Sequence, residues 1–346
     1  AAEEAIELEV GADSSEAADG GGKSNARTST AERAGYDSEA SSGDEWDEAN
    51  AARTEEEAAV EKSRSPSSKE GDVAVETPWS ITRAEAKAKF EAADVSKYLP
   101  DLIVEEENPG GGFSCFSCFG AKPARLDASL EGDRERFFAV AKMPFADDDG
   151  DGTHARILQT VFARLTGGDR PVPRYGSHWE RVGFQGKDPA TDLRGCGMLA
   201  LEQLLALTED DPPSGSGAGG GSEDAARRNR VFENAAAIHA LSRDPAQEFP
   251  MAPLGVNLTH ITLKAVRKGL LNADANARGS LWNAADVFYR GAFYEFYLRW
   301  RDGKKTIADS GHARRELEEF LLTKKGAKRA MELAESGELL EKVGGG

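Results

Sequence analysis

Three stretches of this sequence carry side chains able to do chemistry. The first is "DDDGDGT", which places Asp147, Asp149, Asp151 and Gly152 at positions one, three, five and six of a calcium loop. Position twelve of such a loop needs a bidentate glutamate, and here it is Leu158. The segment therefore reads as an acidic loop opening a helix, with Thr153 as its cap. The second is "CFSCF", in which Cys115 and Cys118 would be half of a zinc site. The one other thiol is Cys196, and His154, His178, His239, His260 and His312 are scattered, so no ligand set is expected. Either Cys115 and Cys118 are acylated, docking the start of the domain on a membrane, or they form a small apolar patch. The lack of an adjoining basic cluster favours the patch.

The third is "HWERVGFQGKDPATDLRGCGML", His178 to Leu199. Gly183, Gly186, Gly195 and Gly197 permit positive φ or close backbone approach, and Pro189 fixes a turn. Thr191 or Asp192 can cap a helix beginning at about Arg194 by accepting from its first amides. A cation in that first turn opposes the helix dipole, which implies compensation. Either a carboxylate such as Asp192 or Asp188 pairs with Arg194 internally, or the guanidinium is kept for an anionic partner outside.

The elements that must hold these stretches are helical. Residues 81–99 predict a short helix, followed by the glycine-rich "NPGGGFSCFSCFGAKP". "RERFFAVAKMPF" and "THARILQTVFARLTG" predict two more, the second stopping at Gly167. Leu201, Leu204, Leu205 and Leu207 form a stripe on the helix after the glycine-rich turn. "DDPPSGSGAGGGSED" predicts a flexible surface insertion, 208–224. "AARRNRVFENAAAIHALSRD" predicts a helix that stops before Pro245. Helical spacing then links Leu254, Leu258, Ile261 and Ala265, and again Leu281, Ala285, Phe288, Ala292, Phe296 and Trp300. Two further helices end the chain. Convincing strand alternation and internal repeats are absent, so an all-α fold is expected.

Composition divides the 346 residues unevenly. Residues 1–76 hold 21 acidic against 7 basic residues, so −14 of the chain's net −18 lies there. With few large apolar groups, they are expected to be a disordered acidic tail. Residues 77–122 read as a linker with a short helix and the Cys/Phe segment, and 123–342 as the helical domain. No apolar run is long enough to span a membrane, and three cysteines suit a reducing compartment. The expected location is the cytoplasm, with peripheral placement at membranes or cytoskeletal structures as the alternative. No secretory pattern opens the sequence, which begins with Ala, so a natural leader stays open.

"WERVGFQGKDPATDLRGCGMLAL" closely resembles the signature of the ELMO domain: a Trp, a Gly–aromatic–Gln, a Pro–x–Thr–Asp and an Arg–Gly–x–Gly–x–Leu at this spacing. "MPFADDDGDGTHARILQTVFARLTG" before it and "EFPMAPLGVNLTHITLKAVRKG" after it resemble the family's flanking segments, so the likeness covers about residues 125–325. It implies two classes of function. Small stand-alone members act as GTPase-activating proteins for Arf and Arf-like GTPases, with the signature's arginine, here Arg194, as the proposed catalytic residue. Longer members scaffold Rac exchange factors without that activity. This chain resembles the stand-alone type.

On that resemblance Arg194 is an arginine finger, and GTP and magnesium arrive with the GTPase. Gln185 either helps place the attacking water or braces the turn from within. Trp179, Phe184 and Pro189 shape the loop, Gly183 turns it, and Gly195 and Gly197 let the GTPase approach. Thr191 and Asp192 cap the helix, or Asp192 orients the guanidinium. No metal or cofactor of its own and no nucleic-acid partner are expected. The rival reading is a non-catalytic adaptor that links small GTPases to cytoskeletal, membrane or ciliary assemblies, with Arg194 in a structural ion pair.

Overall fold

A computed structural model describes residues 78–101, 124–209, 222–337 and 339. The acidic tail, the Cys115–Cys118 segment and most of the 208–224 insertion lie outside the described residues. Among the described residues every regular element is a helix or a 3₁₀ turn, and none is a strand.

The fold is built around α5 (Gly197–Thr208), the helix that leaves the glycine-rich turn. The sequence shows a leucine stripe on it, yet all of its residues are buried, Glu202 and Gln203 included. It packs against α1 (Arg83–Ala92), α2 (Glu131–Lys142), α3 (Thr153–Thr166), α6 (Ser222–Ser242), α7 (Met251–Arg267) and α9 (Leu281–Asp302). A helix surrounded in this way can afford polar side chains only if each finds a partner. Arg83 supplies one from outside the helix, approaching Glu202 at 3.5 Å and donating to Asp286 of α9. Gln203 donates to the same Asp286 at 3.3 Å. Arg290 of α9 satisfies the Ala206 carbonyl near the end of α5.

The helix α1 falls in the stretch expected to be a linker. Its Arg83, Ala86 and Phe90 are buried in the common core, with Phe90 stacked near Trp282 at 6.3 Å. Thr82 caps it by accepting from the Glu85 amide. The expected 81–99 helix thus ends earlier, at Ala92, and a 3₁₀ turn, Ser96–Asp101, follows.

The remaining helices follow their apolar spacing. α3 begins after Gly152 and stops at Gly167, both left-handed glycines, so Thr153 is its first residue rather than its cap. Pro253 sits in the first turn of α7, where a missing N–H costs nothing. α9 lines the core with Trp282, Phe288, Tyr289, Phe293, Phe296 and Trp300. It packs against α8 (Asn272–Arg278) and α11 (Lys324–Ser336), and α10 (Ser310–Leu321) closes that side.

Candidate functional site

The glycine-rich stretch wraps the edge of this bundle, and its aromatic residue anchors it. Trp179 lies in a 3₁₀ turn, Ser177–Val182, fully buried, with its indole donating to the Arg174 carbonyl at 3.0 Å. Its ring meets Phe162 of α3 edge-on at 5.2 Å, and Phe184 packs on its other side. His239 of α6 and Arg243 just past its end reach the carbonyls of Arg181 and Glu180 at 2.7 and 3.1 Å. Gly183 ends the turn at φ 85°, and any Cβ there would lie 2.5 Å from the Met251 amide at the start of α7. The turn must therefore be glycine for backbone reasons as well as steric ones.

Beyond Gly183 the loop is closed by its own polar groups. The Gly176 amide donates to the Lys187 carbonyl at 3.0 Å, and the Gln185 amide donates to Asp192 at 2.6 Å. Asp188 accepts from the Ala190 amide and pairs with Arg174 at 2.8 Å. Arg174 also donates to Asp147, and its guanidinium stacks 4.5 Å over Phe145. One cation thus ties the acidic loop to the signature loop. Its hydrogen bond holds the Asp147 carboxyl below the usual range.

Arg174 was not singled out from the sequence. Its only signal is its place in "PVPRYG", just upstream of the signature, because its carboxylate partners are 27 and 14 residues away.

The other acidic-loop carboxylates are also engaged. Asp149 accepts from the amides of Gly152 and His154, and Asp151 from Thr153 and Lys89. They cap and hold the start of α3, as expected of a helix-opening loop. Lys89 and Thr153 draw the Asp151 pKa down to about 2. Among the described residues no cluster is placed to bind a metal.

The place of Arg194 differs from expectation. Residues Ala190–Leu193 form a four-residue helix, α4, with Pro189 at its start and Arg194 at its carboxyl end. The long helix begins only at Gly197. Arg194 therefore faces the negative end of a short dipole, where a cation is favoured, and no compensation is required. Thr191 and Asp192 lie inside α4 and cap nothing; Asp192 instead accepts from Gln185. Burial raises the Asp192 carboxyl, while the Gln185 bond and the charge of Arg194 pull it back.

The internal ion pair is not formed. Asp188 is committed to Arg174, and no hydrogen bond or ion pair to a described residue holds Arg194. Its side chain is exposed, as is Gly195, while Leu193 before them and Cys196 after them are buried. Those two plugs fix the backbone so that Arg194 points outward. The Cys196 thiol is directed at the Val256 carbonyl at 3.7 Å, and burial pushes its pKa up to about 12, so it is no nucleophile. Gly197 completes the mount at φ 50°, where a Cβ would lie 2.2 Å from the Met143 carbonyl. The Met198 amide bonds that same carbonyl at 2.8 Å.

The other sequence candidates divide cleanly. Trp179, Phe184 and Pro189 are buried. Gly183, Gly186 and Gly197 adopt positive φ, whereas Gly195 does not and instead lets His260 approach. Gln185 is exposed, so it does not brace the turn from within; only its backbone amide does.

The sequence that forms this helical bundle matches a known family. Residues 136–314 match the ELMO/CED-12 family, and the chain belongs to it. It is 32% identical over 255 residues to ELMO domain-containing protein 3 of Homo sapiens, covering 74% of this chain and 61% of that protein. The Mus musculus counterpart is 33% identical over 251 residues, covering 72% and 60%. ELMO domain-containing protein 2 of Homo sapiens is 25% identical over 188 residues, covering 52% and 54%. The match therefore spans about three-fifths of the length of the first two relatives. No solved structure matches the chain. Among the described residues no helix is long and apolar enough to cross a membrane.

Proposed function

We propose that this chain is a GTPase-activating protein for an Arf or Arf-like GTPase, with Arg194 as an arginine finger supplied in trans. The observation that carries this reading is the mounting of Arg194: exposed, without a hydrogen bond or ion pair to a described residue, one residue after buried Leu193 and two before buried Cys196. Arginines that serve the fold here hold internal partners: Arg83 and Arg174 hold carboxylates, and Arg290 the Ala206 carbonyl.

Phosphoryl transfer suits such a group. GTP hydrolysis asks mainly for positioned water and for stabilisation of charge growing on the phosphate oxygens, while the GTPase brings its own nucleotide and magnesium. A guanidinium is permanently charged and planar, so it can meet two oxygens at once. Fingers of this kind are worth about a thousandfold or more in rate, roughly 4 kcal/mol or more of barrier.

Single-turnover hydrolysis across purified Arf and Arf-like GTPases tests the proposal. The wild-type chain should accelerate at least one of them, and Arg194→Lys should lose that acceleration while keeping the wild-type circular-dichroism spectrum and melting temperature. Binding to a GTPase without acceleration would instead make the chain an adaptor.

A further inference from the structure

The signature loop presents a second unengaged polar side chain besides Arg194. Phe184 is buried against Trp179, and the next residue, Gln185, is exposed between Gly183 and Gly186, both at positive φ. The Gln185 carboxamide makes no hydrogen bond to a described residue. Its backbone, in contrast, is held. The Gln185 amide donates to Asp192 at 2.6 Å, and the nearby Lys187 carbonyl accepts from the Gly176 amide at 3.0 Å. A fixed backbone thus carries a carboxamide with its hydrogen-bonding capacity unspent.

Asp192 links this step of the loop to the arginine. Burial raises its carboxyl, while the Gln185 bond and the charge of Arg194 lower it. One carboxylate therefore neighbours the Gln185 backbone and the guanidinium together, and the two exposed side chains rise from the same edge of the bundle.

Their chemistries are complementary. A guanidinium only donates hydrogen bonds, so Arg194 can meet charge on phosphate oxygens but cannot accept from a water. A carboxamide has an acceptor oxygen as well as a donor NH2. In GTP hydrolysis the water oxygen bonds to the γ-phosphorus, and the bond from that phosphorus to the β–γ bridging oxygen breaks. Its electron pair leaves with GDP, and the proton lost by the water ends on the released inorganic phosphate. A carboxamide that accepts from the water and donates to a γ-phosphate oxygen aligns this attack without itself gaining or losing a proton.

We infer that Gln185 enters the nucleotide site of the GTPase alongside Arg194 and orients the attacking water in trans, a task for which GTPases commonly carry a glutamine of their own. The inference rests on the GTPase-activating reading.

Single-turnover hydrolysis at saturating full-length chain tests it. The partner is an Arf or Arf-like GTPase that the wild-type chain accelerates, used in its natural form and with its own water-orienting glutamine replaced by leucine. The wild-type chain should accelerate both forms. Gln185→Leu should lower the saturating rate about tenfold or more on the natural form and abolish acceleration of the leucine form. Melting temperature, and Kd for the GTPase loaded with a non-hydrolysable GTP analogue, should match the wild type, because the side chain contacts no described partner.

Full stimulation by Gln185→Leu on either form, or a wild-type chain that cannot accelerate the leucine form, overturns the role of Gln185 and leaves the dependence on Arg194 standing. A rate loss that comes with a lower melting temperature marks a structural role and overturns it too. A wild-type chain that accelerates no GTPase defeats the activator reading first, and this role with it.

Discussion

Arg174→Met removes the single cation that joins the acidic loop to the signature loop, and its consequences can be worked from the contacts. The guanidinium is one-fifth exposed, and its partners Asp147 and Asp188 are 53% and 40% exposed. Solvent screening at that exposure limits each ion pair to roughly 0.5–1 kcal/mol. Stacking on Phe145 adds about 0.5–1 kcal/mol. The summed loss is therefore about 2 kcal/mol, and for a helical domain of this size it corresponds to a fall in Tm of roughly 4–8 °C.

Function should suffer in a different way. Freed from Asp188, the loop that leads into α4 gains conformations in which Arg194 is misdirected, so saturating stimulation should fall while partner Kd changes little. Thermal denaturation and single-turnover hydrolysis on the same preparations read both effects. Arg174→Lys reaches one carboxylate but not both, and should recover part of each loss. A fall in Tm below about 2 °C with full stimulation would show that Asp147 and Asp188 hold the loop without Arg174, and would refute the reasoning.

Three other perturbations follow from the same contacts. Gly197→Ala drives a methyl group onto the Met143 carbonyl at a positive φ, and should cost about 2 kcal/mol or more in denaturant unfolding; a loss under about 0.5 kcal/mol would mean that the turn relaxes freely. Arg83→Met strands Asp286 and Glu202 in the core and should destabilise by about 3–5 kcal/mol, seen as a lower urea midpoint at an unchanged m-value; a near-neutral result would show that these carboxylates are protonated when buried. Burial holds His154, His239 and His260 below the ordinary imidazole value of 6.5, so the unfolded chain takes up protons first and stability is lost as pH falls through about 6.5. The urea midpoint should decline between about pH 7.5 and 5.5, and His239→Gln should flatten that decline; a midpoint that rises on acidification contradicts the sign.

Much of the fold was legible because its helices are amphipathic and punctuated. Gly167 stops α3, Pro250 precedes α7, and the spacing from Leu281 to Trp300 marks the buried side of α9. What escaped was non-local. The polar pair Glu202 and Gln203 looks like an outward face until Arg83, more than a hundred residues earlier, is found beside it. The same insertion makes α1 part of the core rather than of a linker. At the site, residue types pointed to the glycine-shaped turn that presents Arg194, but a four-residue helix is too short for any periodicity to reveal. Arg194 was therefore assigned to the wrong helix end, and the dipole argument built on it reversed.

The central claim is that Arg194 acts on the transition state rather than on the bound ground state. An Arf or Arf-like GTPase that the chain accelerates can be loaded either with a non-hydrolysable GTP analogue or with GDP and aluminium fluoride, which mimics the transferring phosphoryl group. The wild-type chain should bind the aluminium fluoride form more tightly than the analogue form, and Arg194→Ala should bind the two forms equally. An Arg194→Ala chain that kept the full preference would contradict the account.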